Sequence, residues 1–220
     1  MNQVDTTLYL VTNSEGRSEN AFLDIVAGAC EGGVTLVQLR EKELSGKEFY
    51  ELALKVKDIT DSFDVPLIIN DRVDVAQAVD AAGVHLGQSD LPVVAARSML
   101  GPSKIIGAST KTLEQALVAV AAGADYLGVG AIFPTTTKVV TVITSIDTLT
   151  EITQNVKIPV VAIGGLNASN LKVLHGSGVS GISVVTAIMN STNPKETARE
   201  LRHLVEQLTI RKVQVGYGIK

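Results

Sequence analysis

Short apolar runs rich in β-branched residues alternate with longer stretches of helical periodicity along nearly the whole chain. The runs Leu8–Thr12, Leu36–Arg40, Leu67–Asn70, Val84–Leu86, Ile105–Ala108, Tyr126–Val129, Val160–Ile163 and Ile182–Val185 predict eight strands. Several are apolar without a break, which suits parallel strands buried on both faces. Between them, Phe22, Ile25, Val26 and Ala29 share one helical face, as do Phe49, Leu52, Ala53, Val56 and Ile59. Leu113, Ala116, Leu117 and Val120 repeat the pattern, and Leu201, Leu204, Val205 and Leu208 close it. Gly32-Gly33, Gly83, Gly123 and the Gly176–Gly178 stretch fall where a helix stops before the next strand, and a left-handed cap is expected at each. Eight units in 220 residues, roughly 27 residues each, predict a closed α/β barrel of the (β/α)8 TIM type. A doubly wound open sheet is the rival arrangement of the same rhythm. No linker, low-complexity tract or charge block divides the chain, so residues 1–220 are read as one domain.

Composition narrows this picture further. Hydrophobic residues make up 45% and aromatics only 4%, with no Trp, so the core must be built from Val, Ile, Leu and Ala. The net charge of −4 gives no reason to expect nucleic acid or a membrane as the main partner. Cys30 is the single cysteine, which excludes an internal disulfide, and its apolar helical neighbours mark it as a packing residue. The N-terminus has no signal-peptide pattern and no apolar run is long enough to span a bilayer, so a cytoplasmic protein is expected. Whether it forms a homo-oligomer is left open.

In such a barrel, activity belongs at the C-terminal ends of the strands, and the unusual polar residues of this chain fall there. Strand two ends in Gln38-Leu39-Arg40-Glu41-Lys42, whose alternation points Gln38, Arg40 and Lys42 to one side. Arg and Lys together suit phosphate oxygens, although a solvated Lys/Glu turn reads the same way. Strand three ends in Asn70-Asp71-Arg72 and strand four in Gly87-Gln88-Ser89-Asp90. Each aspartate taken alone is an equally good helix cap. As a pair on neighbouring strand ends beside Arg40 and Lys42, they offer what a magnesium-bound pyrophosphate needs. His85, inside strand four, reads as a hydrogen-bonded interior or rim residue rather than a base. With only three His, neither a zinc centre nor a Ser–His hydrolase is supported.

Strand five offers Ser109 at the mouth, with helix capping as its plain alternative. After strand six, Thr135-Thr136-Thr137-Lys138 concentrates anion-binding groups in a stretch that reads either as a lid running to Thr144 or as a disordered loop. Gly164-Gly165 after strand seven and Val185-Thr186 after strand eight match the phosphate site common to many barrels.

In order, the phrases VQLREK (Val37–Lys42), NDRVDV (Asn70–Val75), GVHLGQ with Asp90, GADYLGVG (Gly123–Gly130), FPTTTK (Phe133–Lys138), PVVAIGG (Pro159–Gly165) and VVTAI (Val184–Ile188) resemble the thiamine-phosphate synthase family. The resemblance runs from about residue 8 to 208. It implies a magnesium-dependent transferase that joins a pyrimidine methyl pyrophosphate to a hydroxyethylthiazole phosphate. Gln38, Leu39, Arg40, Glu41, Lys42, Asn70, Ser109 and Lys138 would hold the pyrimidine pyrophosphate, with Arg40, Lys42, Ser109 and Lys138 serving catalysis. Thr135, Thr136, Thr137, Gly165, Val185 and Thr186 would hold the thiazole phosphate, and Asp71 and Asp90 the metal. The stretch 139–147 lacks the Lys, Pro and Gly-Leu-Glu features usual in the family, and Thr186 stands where Ser is commoner. A metal-free thiazole tautomerase and a non-catalytic phosphate-binding regulatory barrel are the alternatives on the same scaffold.

Overall fold

Eight parallel strands close on themselves in sequence order, as a computed structural model describing residues 4–135 and 142–214 shows. The strands are β1 (Leu8–Val11), β2 (Leu36–Leu39), β3 (Leu67–Asn70), β4 (Gly83–Leu86), β5 (Ile105–Thr110), β6 (Tyr126–Gly130), β7 (Val160–Ile163) and β8 (Gly181–Val184). Each pairs with its successor, and β1 closes on β8 through the register Tyr9↔Ser183. The expected (β/α)8 barrel is the fold, and an open sheet is excluded by that last pairing.

Strand side chains divide between two apolar cores. Tyr9, Val11, Leu36, Ile68, Ile105, Tyr126 and Val161 fill the barrel interior. Alternate residues such as Leu8, Leu10, Val37, Leu39, Ile69 and Val84 face outward into the larger layer beneath the helices. Those helices are α1 (Glu19–Glu31), α2 (Gly46–Ser62), α3 (Val73–Ala78), α4 (Val93–Leu100), α5 (Leu113–Ala121), α6 (Ile146–Asn155), α7 (Thr186–Met189) and α8 (Pro194–Gln214). α2 shows how locally the chain directs this. A reciprocal Ser45/Glu48 capping box starts it, and Phe49, Leu52, Ala53 and Val56 form the stripe it buries. Cys30 is buried on α1, as a packing residue should be.

Two expectations need correction. Gly83 is not a left-handed cap but the first residue of β4, where an added Cβ would lie 1.8 Å from the Ile105 carbonyl oxygen. The left-handed turn at that corner falls instead on Asp80, at φ 52°. The unit after β7 carries no α-helix, only a 3₁₀ turn at Leu171–Leu174. Asn170 there spends its side chain on the Asn167 N–H and the Gly165 carbonyl, and Gly176 and Gly178 turn left-handed soon after. No helix among the described residues is long and apolar enough to cross a membrane.

Candidate active site

A cavity of about 510 Å³ opens at the C-terminal ends of the strands, within the range of small-molecule sites. Gln38, Arg40, Lys42, Asn70, Asp71, Asp90, Ser109, Thr135, Gly165, Val185 and Thr186 all line it. Residues expected to act together are therefore brought to one chamber from seven of the eight strands and the turns that follow them. Thr136, Thr137 and Lys138 lie outside the described residues, as does most of the expected lid. The side chains of Leu39 and Glu41 do not face the chamber. Leu39 takes the outward register and is fully buried under the helices. Glu41 turns away to accept a hydrogen bond of 2.7 Å from Ser14 Oγ, and burial pushes its carboxyl above the ordinary range. Any part those two play in binding is left to their backbone.

The acidic pair is built by two sharp turns. Asp71 follows β3 in the left-handed region at φ 60°, with its N–H donated 2.9 Å to the His85 carbonyl of the next strand. Asp tolerates that region better than most residues, and the turn swings its carboxylate over the barrel mouth. Asp90 accepts 2.7 Å from the Gly87 N–H and so closes the turn after β4. Neither aspartate is the cap of the following helix, because those positions fall on Arg72 and Pro92. Lys42 Nζ donates to Asp71 Oδ2. Burial first, and then the neighbouring Asp71 carboxyl, raise the Asp90 carboxyl above the usual carboxylate range. Two carboxyl groups in contact under a single ammonium are an oxygen donor set suited to a hard divalent cation. Among the described residues no group of three or more His, Cys, Asp or Glu could hold a metal, so the rest of such an ion's shell would come from water and substrate.

Arg40 also lines the chamber, and its charge partly offsets the upward push of burial on the Glu41 carboxyl. Across the mouth, Gly164 and Gly165 adopt φ 104° and 64°. An added Cβ on Gly165 would lie 2.7 Å from the Pro134 carbonyl, so this loop is tied to the turn after β6. Val185 then opens the short α7, whose first N–H groups have no partner within the helix.

Sequence reading missed several members of the site. Tyr9 lies in an apolar run and gives no outward sign of lining a chamber, yet it does. Gln88 donates 2.7 Å to the Ser109 carbonyl, and Lys111 adds a further cation to the lining. Position just after β4 and β5 was the signal that could have found those two. His85 is the interior residue it was expected to be, with Nδ1 3.0 Å from Tyr126 Oη and Nε2 2.9 Å from Ser109 Oγ.

Residues 8–188 match the family model described as thiamine monophosphate synthase. The thiamine-phosphate synthase of Lacticaseibacillus paracasei is 52% identical over 202 residues, which cover 92% of this chain and 95% of that protein. Thiamine-phosphate synthase 2 of Streptococcus pneumoniae is 55% identical over 191 residues, covering 87% and 91%. Among solved structures, a thiamine phosphate pyrophosphorylase from Pyrococcus furiosus matches with a TM-score of 0.84 at 40% identity, covering 93% of this chain and 97% of that one. With its closed barrel, its ordered motifs and relatives of this length and identity, the chain belongs to the thiamine monophosphate synthase family of transferases.

Proposed function

We propose that the chamber joins 4-amino-2-methyl-5-(diphosphooxymethyl)pyrimidine to 4-methyl-5-(2-phosphoethyl)thiazole, giving thiamine phosphate and pyrophosphate. One observation carries this reading beyond family membership. Arg40, Lys42 and the Asp71–Asp90 pair gather on the β2–β4 side, while the Gly164-Gly165 and Val185-Thr186 turns face them from β7 and β8. Two anion sites of different construction share one cavity, as a reaction between two phosphorylated substrates requires.

In this reaction the methylene–oxygen bond breaks, pyrophosphate leaves with the electron pair, and the thiazole nitrogen forms the new bond to carbon. That nitrogen has no proton to lose, so no general base is needed. His85, the one imidazole in the lining, is already engaged on both nitrogens. Asp71 and Asp90 would hold magnesium, which when bound would neutralise the charge of the departing pyrophosphate. Arg40, Lys42 and Lys138 would add fixed positive charge where negative charge develops. Ser109, Asn70 and Gln38 would orient the pyrimidine. Thr135 to Thr137, with the backbone at Gly165, Val185 and Thr186, would seat the thiazole phosphate. Aligning the two rings contributes several further kcal/mol, on the order of what intramolecular reactions gain.

Incubation with both substrates and magnesium, with and without a chelator, tests the reading through pyrophosphate release. Release that the chelator abolishes is expected. Thiazole phosphate binding without any release would refute it in favour of a regulatory barrel.

A further inference from the structure

Five polar side chains form one continuous line across the barrel interior. Gln38 Nε2 donates 2.5 Å to Tyr9 Oη, which lies 2.7 Å from Tyr126 Oη. Tyr126 Oη lies 3.0 Å from His85 Nδ1, and His85 Nε2 lies 2.9 Å from Ser109 Oγ. With the Gln38 amide nitrogen as donor to Tyr9, one direction lets every proton be used within the line. A phenol has one proton, so Tyr9, accepting from Gln38, has its own to give to Tyr126. Tyr126 accepts there and passes its proton toward His85 Nδ1. Nδ1 is then an acceptor, which puts the imidazole proton on Nε2 and directs it at Ser109 Oγ. Burial raises both tyrosine hydroxyls well above their ordinary range, so neither loses its proton near neutrality.

The strands make room for this line. A Cβ on Gly107 would lie 2.1 Å from Tyr126 Cζ and 2.5 Å from His85 Nδ1, and one on Gly128 would lie 3.2 Å from His85 Cε1. β5 and β6 omit side chains where the two rings meet.

We infer that Tyr9, Tyr126 and His85 are positioning residues whose hydrogen-bond polarity turns the Ser109 hydroxyl proton into the chamber, so that Ser109 selects a ligand presenting a ring-nitrogen acceptor. This rests on the proposed reaction, in which the aminopyrimidine supplies that acceptor. Tyr126 lies behind the chamber lining and acts only through Ser109, with Tyr9 setting the direction of its hydrogen bond.

The test is a long-range proton–nitrogen spectrum of the full chain labelled with ¹⁵N-histidine, at neutral pH, with His85 assigned from its loss in His85→Gln. A protonated Nε2 and an unprotonated Nδ1 are expected. A protonated Nδ1, in either the other tautomer or the imidazolium, overturns the relay, as would a reversed Gln38 amide, which would reverse every bond. In Tyr126→Phe the His85 signals should move toward a mixture of tautomers. The KM for the pyrimidine pyrophosphate should rise about tenfold, the worth of one hydrogen bond, with the KM for the thiazole phosphate unchanged. Ser109→Ala should show a similar loss, and adding Tyr126→Phe to it should cost nothing more. Unchanged His85 signals in Tyr126→Phe would overturn the relay. If that variant does not fold, the spectrum of the parent still decides. The expected tautomer in a protein that releases no pyrophosphate would leave the relay standing and refute the reaction instead.

Discussion

Arg97 on α4 reaches Asp125, the residue just before β6, with Nη2 2.6 Å from Oδ2. Asp125 is only 2% exposed and also accepts 2.9 Å from the Ile106 N–H. The same guanidinium donates to the carbonyls of Gly101, Lys104 and Gly123. One cation thus ties together α4, the turn before β5 and the corner before β6, on the barrel face opposite the chamber. Removing the carboxylate leaves a partly buried charge and an unmet N–H. Asp125→Ala should cost about 3 kcal/mol. For a chain of this size, that lowers Tm by roughly 6–12 °C in a thermal melt. Turnover at low temperature should stay within about twofold of the parent, because residues at that face serve stability.

Gly107→Ala tests the packing around the two interior rings. The new methyl would meet Tyr126 Cζ at 2.1 Å and Tyr126 Oη at 2.4 Å, and those atoms are hemmed in by Tyr9 and His85. Overpacking of this kind costs about 1–3 kcal/mol. Both Tm and turnover should fall, unlike the outcome at Asp125. Combined with Tyr126→Phe, the loss in Tm should be smaller than the sum of the two single losses, since the variants share one cavity.

The barrel was legible because each strand is a short apolar run and each helix a 3.6-residue stripe, signals that survive without any knowledge of partners. The chamber lining was legible wherever a polar residue falls just past a strand, as with Arg40, Asp71 and Asp90. Alternation along β2 also separated Gln38, Arg40 and Lys42 from Leu39 and Glu41. What could not be read were relations made by closure. Tyr9 and Tyr126 look like two more apolar strand residues 117 positions apart, and only the closed barrel sets their hydroxyls 2.7 Å from each other. Asp125, just past the Gly123 corner, gives no sign in the sequence of its partner Arg97, which lies on a different unit. Gly83 was misread as a cap because close approach of a neighbouring carbonyl and a left-handed turn both call for glycine.

Stability should fall on the alkaline side. Burial pushes the Cys30 thiol from its ordinary 9.0 up to about 12, and it moves the Tyr9 and Tyr126 hydroxyls upward from 10.0. The folded chain therefore keeps these protons where an unfolded chain loses them. Their contribution is fully present below about pH 9 and is lost as pH rises from there, at about 1.4 kcal/mol per pH unit for each group. Urea unfolding from pH 7 to 11 should show a plateau and then a steep decline. In Cys30→Ala the decline should begin nearer pH 10. A thiol reagent should leave the folded parent unlabelled at pH 8.

If Lys138 serves the proposed reaction, Lys138→Ala should lower turnover on the order of a hundredfold, since a cation would be lost from beside the leaving group. Tm should not move. Parent-like turnover would take this lysine out of the mechanism.

Asp90→Asn separates the acidic pair's structural role from its chemical one. An Asn oxygen can still accept from the Gly87 N–H, so the turn after β4 keeps the bond that shapes it. What disappears is negative charge in a place where burial and Asp71 already disfavour it. Without magnesium, Tm should therefore be unchanged or slightly higher than in the parent. Magnesium should raise the parent's Tm through preferential binding to the folded state, and that increment should be lost in the variant. Pyrophosphate release should fall at least a hundredfold. A variant less stable than the parent without the ion, yet still stabilised by it, would assign Asp90 to the turn and remove it from the metal site.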